Sequence, residues 1–319
     1  MKNIAVLTSG GDAPGMNACI RALVRAGIYY GYNMFGIEAG YQGLIEDEIK
    51  PLTVRDVGNI IQLGGTILKT SRSKEFTQKE GFAKALNNCK KHKIDVIVAI
   101  GGDGTFTGAR QLVDAGINVI AIPATIDNDL GYTDFTLGFD TAVNTVVQSL
   151  NNIRDTSMAH ERLCVVEVMG RECGDIALMA GVSAGAEVVL VPEVKFNVSQ
   201  VCKKLKASYK SGKKGSIVVV AEGVGSADSV LEKIKKGTGF DGRAMSVDYI
   251  QRGGSPTADD RVLASRFGVR AIELVNENKF GLAIGVKDGK LFEMPVDEAL
   301  KQPKSFDFET YKLTDIISI

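Results

Sequence analysis

Acids, hydroxyls and glycines gather in a few short stretches of this chain. In "PATIDNDLGYTD" (123–134), Asp127 and Asp129 stand two apart, with Thr125 two residues upstream of the first. The stretch follows the apolar run "INVIAI" directly. Asn and Asp favour turns, so a polar turn is one reading. The other is a reactive loop at the carboxyl end of a buried parallel strand. Phosphoryl transfer to an alcohol needs such groups: a carboxylate takes the hydroxyl proton, and cations offset the phosphoryl charge. On that reading Asp127 accepts the proton, and Asp129 orients a water of a metal shell. Thr125 then hydrogen-bonds the transferring group or the acceptor.

Two further loops fit the same chemistry. "SGGDAPGMN" places Gly10, Gly11 and Gly15 just before a helical pattern. There, backbone N–H groups can approach phosphate oxygens and the helix N-terminus favours negative charge. A tight strand–helix turn is the plainer alternative. "GGDGT" (101–105) sets Asp103 between glycines. A carboxylate there suits Mg²⁺, which takes one or two protein carboxylates plus phosphates. Basic groups cluster near strand ends as well. Arg162 starts the run "LCVVEVM"; Met169, Gly170 and Arg171 end it. Glu222 ends "SIVVVAE", and Arg243 and Arg252 flank "AMSVDYIQ". Guanidinium groups suit bidentate phosphate binding; exposed salt bridges of small value are the alternative.

These residues need a scaffold, and the apolar pattern supplies one. "NIAVLTS", "DVIVAI", "NVIAIPA", "LCVVEVM", "EVVLVP" and "SIVVVAE" are continuous apolar runs, not alternating ones. That pattern implies strands buried on both faces, hence parallel sheets covered by helices. Between them lie helical patterns, with Ile20, Leu23, Val24 and Ile28 on one face and Val143, Val146, Val147 and Leu150 on another. "LAIGVKDGKLFEMP" predicts a hairpin turning at Asp288-Gly289. The expected class is α/β, and a break near Gly138 separates two halves. In such sheets ligands bind beyond the carboxyl ends of strands, which brings loops 8–15, 101–105 and 123–129 to one crevice if their strands are neighbours.

Composition limits the partners. At 319 residues the chain is long for a single core. Lys+Arg and Asp+Glu both number 38, so nothing recommends nucleic acid or an anionic membrane. Five cysteines without CxxC spacing read as reduced cytosolic thiols. "MKNIAVLTSGG" offers no expected secretory leader, and no apolar run is long enough for a membrane span. With only two histidines, a histidine metal site is not expected.

Taken together, "LTSGGDAPGMNA", "GGDGT", "TIDND", "GFDTA", "IRDT", "EVMGR", "CGDIAL", "AEGV", "QRGGSP" and "DRVLASR" resemble, in order, the phosphofructokinase family in its bacterial ATP-dependent form. The resemblance runs from Ile4 to about Val286. It implies transfer of the γ-phosphate of MgATP to the 1-hydroxyl of fructose 6-phosphate, a cytoplasmic step of glycolysis. It implies two Rossmann-like three-layer α/β/α domains: 1–138 plus 251–301 for ATP, and 139–250 plus 302–319 for the sugar phosphate. ATP contacts would be Gly11, Arg72, Ser73, Gly102, Asp103, Gly104 and Thr105, with Asp103 on Mg²⁺. Asp127 would be the general base, with Thr125 and Arg171 supporting the transferring group. Thr125, Ile126, Asp127, Arg162, Met169, Gly170, Arg171, Glu222, Arg243, Tyr249, Ile250, Gln251 and Arg252 would meet the sugar phosphate. Arg162 and Arg243 would reach in from a neighbouring subunit, which implies an oligomer, usually a homotetramer.

The resemblance also implies an effector site for ADP or phosphoenolpyruvate between subunits. Its positions are Arg21, Ala22, Leu23, Val24 and Arg25 on the first helix, Arg154, Gly185, Ala186 and Glu187, and Ser211, Lys213, Lys214 and Gly215. Val54 and Ser211 replace two usual basic residues, so allosteric control is expected to be reduced or altered. A solvated helix face is the alternative for Arg21 and Arg25. Two further departures are Tyr249, where histidine is usual, and Ala124, where glycine is usual. Pyrophosphate users tend to carry an acid at Gly104 and a lysine at Ala124, so glycine at 104 favours ATP. Three other readings remain: a pyrophosphate-dependent enzyme, a weakly active paralogue acting as regulatory subunit, and a lipid or dinucleotide kinase sharing "GGDGT".

Overall fold

A computed structural model describes residues 2–318. The chain opens with β1 (Asn3–Ser9), α1 (Met16–Tyr29), β2 (Asn33–Ile37), α2 (Gly40–Ile45), β3 (Ile49–Leu52), α3 (Lys79–Lys91), β4 (Val96–Gly101), α4 (Asp103–Asp114) and β5 (Asn118–Pro123). It continues with α5 (Phe139–Ala159), β6 (Leu163–Val168), α6 (Asp175–Ser183), β7 (Val188–Leu190), α7 (Val198–Lys210), β8 (Ser216–Ala221), α8 (Ala227–Thr238) and β9 (Gly242–Ser246). It closes with α9 (Ala258–Asn276), β10 (Leu282–Lys287), β11 (Lys290–Pro295), α10 (Val296–Ala299) and α11 (Phe308–Ile317). Two compact units result: residues 1–126, 130–141 and 252–304, and residues 127–129, 142–251 and 305–319.

The first unit holds a seven-stranded sheet in the order β11-β10-β5-β4-β1-β2-β3. β2, β1, β4, β5 and β10 run parallel; β3 and β11 are antiparallel edges. β4 is buried at every position and β1 and β5 at all but their first, because helices cover both faces. Phe106, Phe267, Leu7, Ile97 and Ile100 are among its fully buried side chains. The expected hairpin is present, with Asp288 and Gly289 at φ 49° and 73°, as a type I′ turn requires.

The second unit holds a parallel four-stranded sheet, β7-β8-β6-β9. Helices α7 and α8 start with Asn197 and Ser226 as side-chain caps, and α8 stops at Gly239 with φ 79°. On α5, Val146 and Leu150 are fully buried, as the spacing predicts.

Some strand boundaries differ from expectation. Arg162 lies one residue before β6, and Met169, Gly170 and Arg171 follow its end. Glu222 is the first residue after β8. The strand expected between Arg243 and Arg252 is β9, but Arg243 sits inside it and Arg252 ends the 3₁₀ turn Asp248–Arg252 that follows. All five cysteines are buried thiols. Burial pushes the Cys89 thiol up to about 11 and Cys19 further still. Among the described residues no helix is long and apolar enough to cross a membrane.

Candidate active site

In the first unit, β1, β4 and β5 end level: Ser9 faces Gly101, and Gly101 faces Pro123. The loops that follow therefore start side by side. Gly101 needs its missing Cβ, which would press on the Thr105 side chain and the Ser9 carbonyl. Thr105 is 1% exposed, and its hydroxyl donates to Ser9 O at 2.9 Å. Its side chain thus latches α4 to β1 and is not offered to a ligand. Gly102 caps α4, and Asp103 opens the helix exposed. Apart from its chain neighbours and the backbone of its own helix, nothing lies within 4 Å of where a Cβ on Gly104 would stand. Thr125 packs against this loop, its Cβ 3.5 Å and its Oγ1 3.9 Å from a Cβ at Gly102.

The glycine-rich loop joins them. Gly10 takes φ 89°, and a Cβ there would be 3.6 Å from Thr105 Oγ1. Gly11 packs under the Arg252 guanidinium: a Cβ there would stand 2.4 Å from Nη1, so the arginine would have to shift. Arg72 is exposed. Ser73 spends its hydroxyl on Gln42 Oε1 at 2.6 Å while accepting from Phe76 N at 3.1 Å, which fixes the short 3₁₀ turn Glu75–Thr77.

In the second unit, Asp127 is 2% exposed and its Oδ2 lies 3.2 Å from Arg171 Nε. Asp129 Oδ2 is 3.6 Å from Arg171 Nη1. Between the acids, Asn128 adopts φ 52°, a conformation asparagine tolerates, and its Nδ2 donates to Asp175 Oδ2 at 2.9 Å. Gly170 and Arg171 have φ 137° and 53°. Glu222 pins this strained corner, its Oε1 accepting from Gly170 N at 3.1 Å and Arg171 N at 2.6 Å. Met169 N donates to Gln251 Oε1 at 3.1 Å, and Gln251 Nε2 donates to Asp248 O.

The remaining sequence candidates divide by exposure. Ile126 and Gln251 are buried at 1% and 0%, so their side chains support the loops from behind. Tyr249 and Ile250 are exposed at 76% and 60%. Arg162 Nε sits 3.5 Å from Asp241 Oδ2, and Arg243 lies two residues further on edge strand β9. Ala124 is buried, its N–H bonded to Gly101 O at 3.0 Å.

Of the expected effector positions, one group assembles within the second unit. Glu187 is fully buried, and its Oε2 accepts from Ile217 N. Lys213 Nζ lies 2.7 Å from Glu187 Oε1 outside hydrogen-bond geometry, a charge pairing without a directed bond. Arg154 Nη2 donates to Ala184 O and Gly185 O at 2.9 and 2.7 Å. Lys214 pairs with Glu161, and Ser211 ends α7. Arg21, Ala22, Leu23, Val24 and Arg25 lie on α1 in the first unit, with both arginines at least partly exposed. Sequence reasoning overlooked the hydroxyl of Thr136 and the carboxylate of Asp260. Only the spacing Thr257-x-x-Asp260, a helix-start signature, pointed to the latter.

Comparison with known proteins gives a consistent result. The phosphofructokinase family model matches residues 3–275. An ATP-dependent 6-phosphofructokinase of Clostridioides difficile is 54% identical over 319 residues, all of both chains. One of Clostridium tetani is 51% identical over the full length of both. The structure of phosphofructokinase from Saccharomyces cerevisiae is similar at TM-score 0.92 and 31% identity, over 98% of this chain; the chain spans about half, 50%, of that longer one. A pyrophosphate-dependent phosphofructokinase from Marinobacter aquaeolei, 22% identical at TM-score 0.85 over 97% of this chain and 86% of its own, shares the fold.

Proposed function

The chain belongs to the phosphofructokinase family, and from that premise we propose that it is an ATP-dependent 6-phosphofructokinase of glycolysis. The 1-hydroxyl oxygen of fructose 6-phosphate forms a bond to the γ-phosphorus of MgATP, and the bond to the ADP oxygen breaks. The observation that carries this reading is the level ending of β1, β4 and β5, which sets two glycine loops beside Thr125, two residues before Asp127.

The residues fit a magnesium-bound triphosphate. The space beside Gly104 is clear, Gly11 leaves room for the Arg252 guanidinium, and Asp103 is exposed at a helix start. Asp103 would hold Mg²⁺, which would neutralise charge on the phosphates. Backbone N–H groups of the 10–11 and 102–104 loops would hold the phosphates. Thr125 would orient the acceptor. Asp127 would take the hydroxyl proton, and Arg171 would turn from the acids towards the transferring phosphoryl group. Arg162, Met169, Gly170, Arg243, Tyr249 and Arg252 are assigned to the sugar phosphate. Glu222 and Gln251 shape that site by holding the backbone of 169–171.

A homotetramer, with Arg162 and Arg243 supplied across subunits, and a cytoplasmic location accompany this proposal. Control by ADP or phosphoenolpyruvate should be weak, because Arg154 and Lys213 already serve internal partners and Val54 and Ser211 bring no charge. Phosphoenolpyruvate inhibition that is strong at low concentration would oppose that part. The decisive experiment is a coupled assay on fructose 6-phosphate with ATP and with pyrophosphate. Turnover with ATP alone is expected; pyrophosphate as the better donor, or no turnover with either, would overturn the reading.

A further inference from the structure

Asp260 lies outside the reacting groups, in the first turn of α9, and is 2% exposed. Its carboxylate nonetheless collects three donors from one distant segment. Oδ1 accepts from Gly138 N at 2.8 Å; Oδ2 accepts from Thr141 N at 2.9 Å and from Thr141 Oγ1 at 2.5 Å. Burial raises the carboxyl's pKa, and these bonds from Thr141 and Gly138 pull it back. Thr257 completes the knot. Its N donates to Thr141 Oγ1 at 3.1 Å, and its Oγ1 donates to Asp140 Oδ2 at 2.6 Å.

The clamped segment runs back alongside the end of β5. Leu137 N donates to Pro123 O at 3.0 Å, and Leu137 bridges Ala124 in parallel. Thr136 Oγ1 donates to Thr125 O at 2.6 Å, and Thr136 is 1% exposed. The same carboxylate also lies beneath the glycine-rich loop. Gly15, at φ 100°, would set a Cβ 3.7 Å from Asp260 Cβ, and Gly138, at φ 98°, would set one 2.7 Å from Ala13 Cβ.

Capping α9 needs none of this, since Thr257 already caps it through Asp260 N. We infer that Asp260 is a positioning residue for the transfer reaction: through Gly138 and Thr136 it fixes the carbonyl of Thr125, and with it the residue proposed to orient the acceptor. The inference rests on the phosphotransferase reading for its consequence in rate, but the mechanical link can be measured without turnover.

The test uses the full-length protein and three variants: Thr136→Val, Thr136→Ser and Asp260→Asn. Thr136→Val removes one hydroxyl at nearly constant volume. It should lower kcat at least about tenfold with both KM values within about twofold, as expected when reacting groups are misplaced but ligands still bind. Thr136→Ser restores the donor and should recover most of the loss. Asp260→Asn puts an amide opposite a donor, and should speed deuterium uptake in residues 124–129 as well as 136–141. Wild-type kcat in Thr136→Val, with unchanged exchange in 124–129, overturns the inference. So does an Asp260→Asn protein that melts earlier yet keeps wild-type kcat per folded molecule. If Asp260→Asn does not fold, Thr136→Val decides alone. A wild type inactive on fructose 6-phosphate counts against the enzyme reading, and the exchange pattern still settles the link.

Discussion

Asp127→Asn separates chemistry from structure because the two losses differ in size. Asparagine keeps the shape of the side chain but cannot take a proton from the acceptor hydroxyl. General-base catalysis contributes about 10²–10⁴ in rate, which is roughly 3–5 kcal/mol of barrier. The structural loss is smaller. Asp127 is buried, but its partner Arg171 has a side chain 50% exposed and lies 3.6 Å from Asp129 as well. Asparagine strands no buried charge, because Arg171 is half exposed and keeps Asp129 beside it, so the fold should hold. A coupled assay at saturating ATP and fructose 6-phosphate should thus show kcat down by at least about two decades, with KM values little changed. Thermal melting should shift by only a few degrees. A kcat within about twofold of wild type would refute Asp127 as base. A loss of kcat matched by large rises in both KM values and early melting would instead make it a structural acid.

Four other outcomes follow from the geometry. Gly104→Ala, pointing into clear space, should leave melting unchanged and raise KM for ATP; an unchanged KM would separate this position from the nucleotide. Gly101→Ala, pressing on Ser9 and Thr105, should cost about 1–3 kcal/mol in denaturant unfolding, and a neutral result would mean that the strand ends can part freely. Phe106→Ala empties a fully buried site beside Tyr132 and should cost about 3–5 kcal/mol by the same measurement. Lys50 at 2.7 Å, then Lys69 at 2.9 Å, hold the Glu38 carboxyl below its ordinary value of 4.5. That stabilisation is present above the ordinary value and lost as pH falls through the folded one. The melting difference between wild type and Glu38→Gln should therefore be present at neutral pH and vanish in acid, and shrink with salt; a difference that grows in acid would reverse the sign.

The parallel sheets were legible because strands buried on both faces leave unbroken apolar runs, as in β4 and β5. The hairpin was legible because Asp-Gly at 288–289 has a specific backbone demand. β9 begins earlier than the strand expected between Arg243 and Arg252, because a half-exposed edge strand, "GRAMS", has no periodic signature to fix its ends. The acids proposed for the reaction stand out by local spacing. Their supports did not. Thr136 meets Thr125, Glu222 meets Gly170 and Arg171, and Gln251 meets Met169 only after folding, through backbone atoms that carry no residue identity. Buried supports such as Gln251 therefore read in sequence as candidate contacts, while their packing assigns them to the frame.

The shared level of Ser9, Gly101 and Pro123 has an evolutionary corollary. Inserting or deleting one residue in β4 would turn its side chains to the opposite face and carry Gly102 and Asp103 out of step with both neighbours. Replacing an exposed loop residue beyond that line, such as Gly104, leaves this register intact. New donor or acceptor preferences in this scaffold should consequently arise by point replacement at its rim, with strand lengths left untouched.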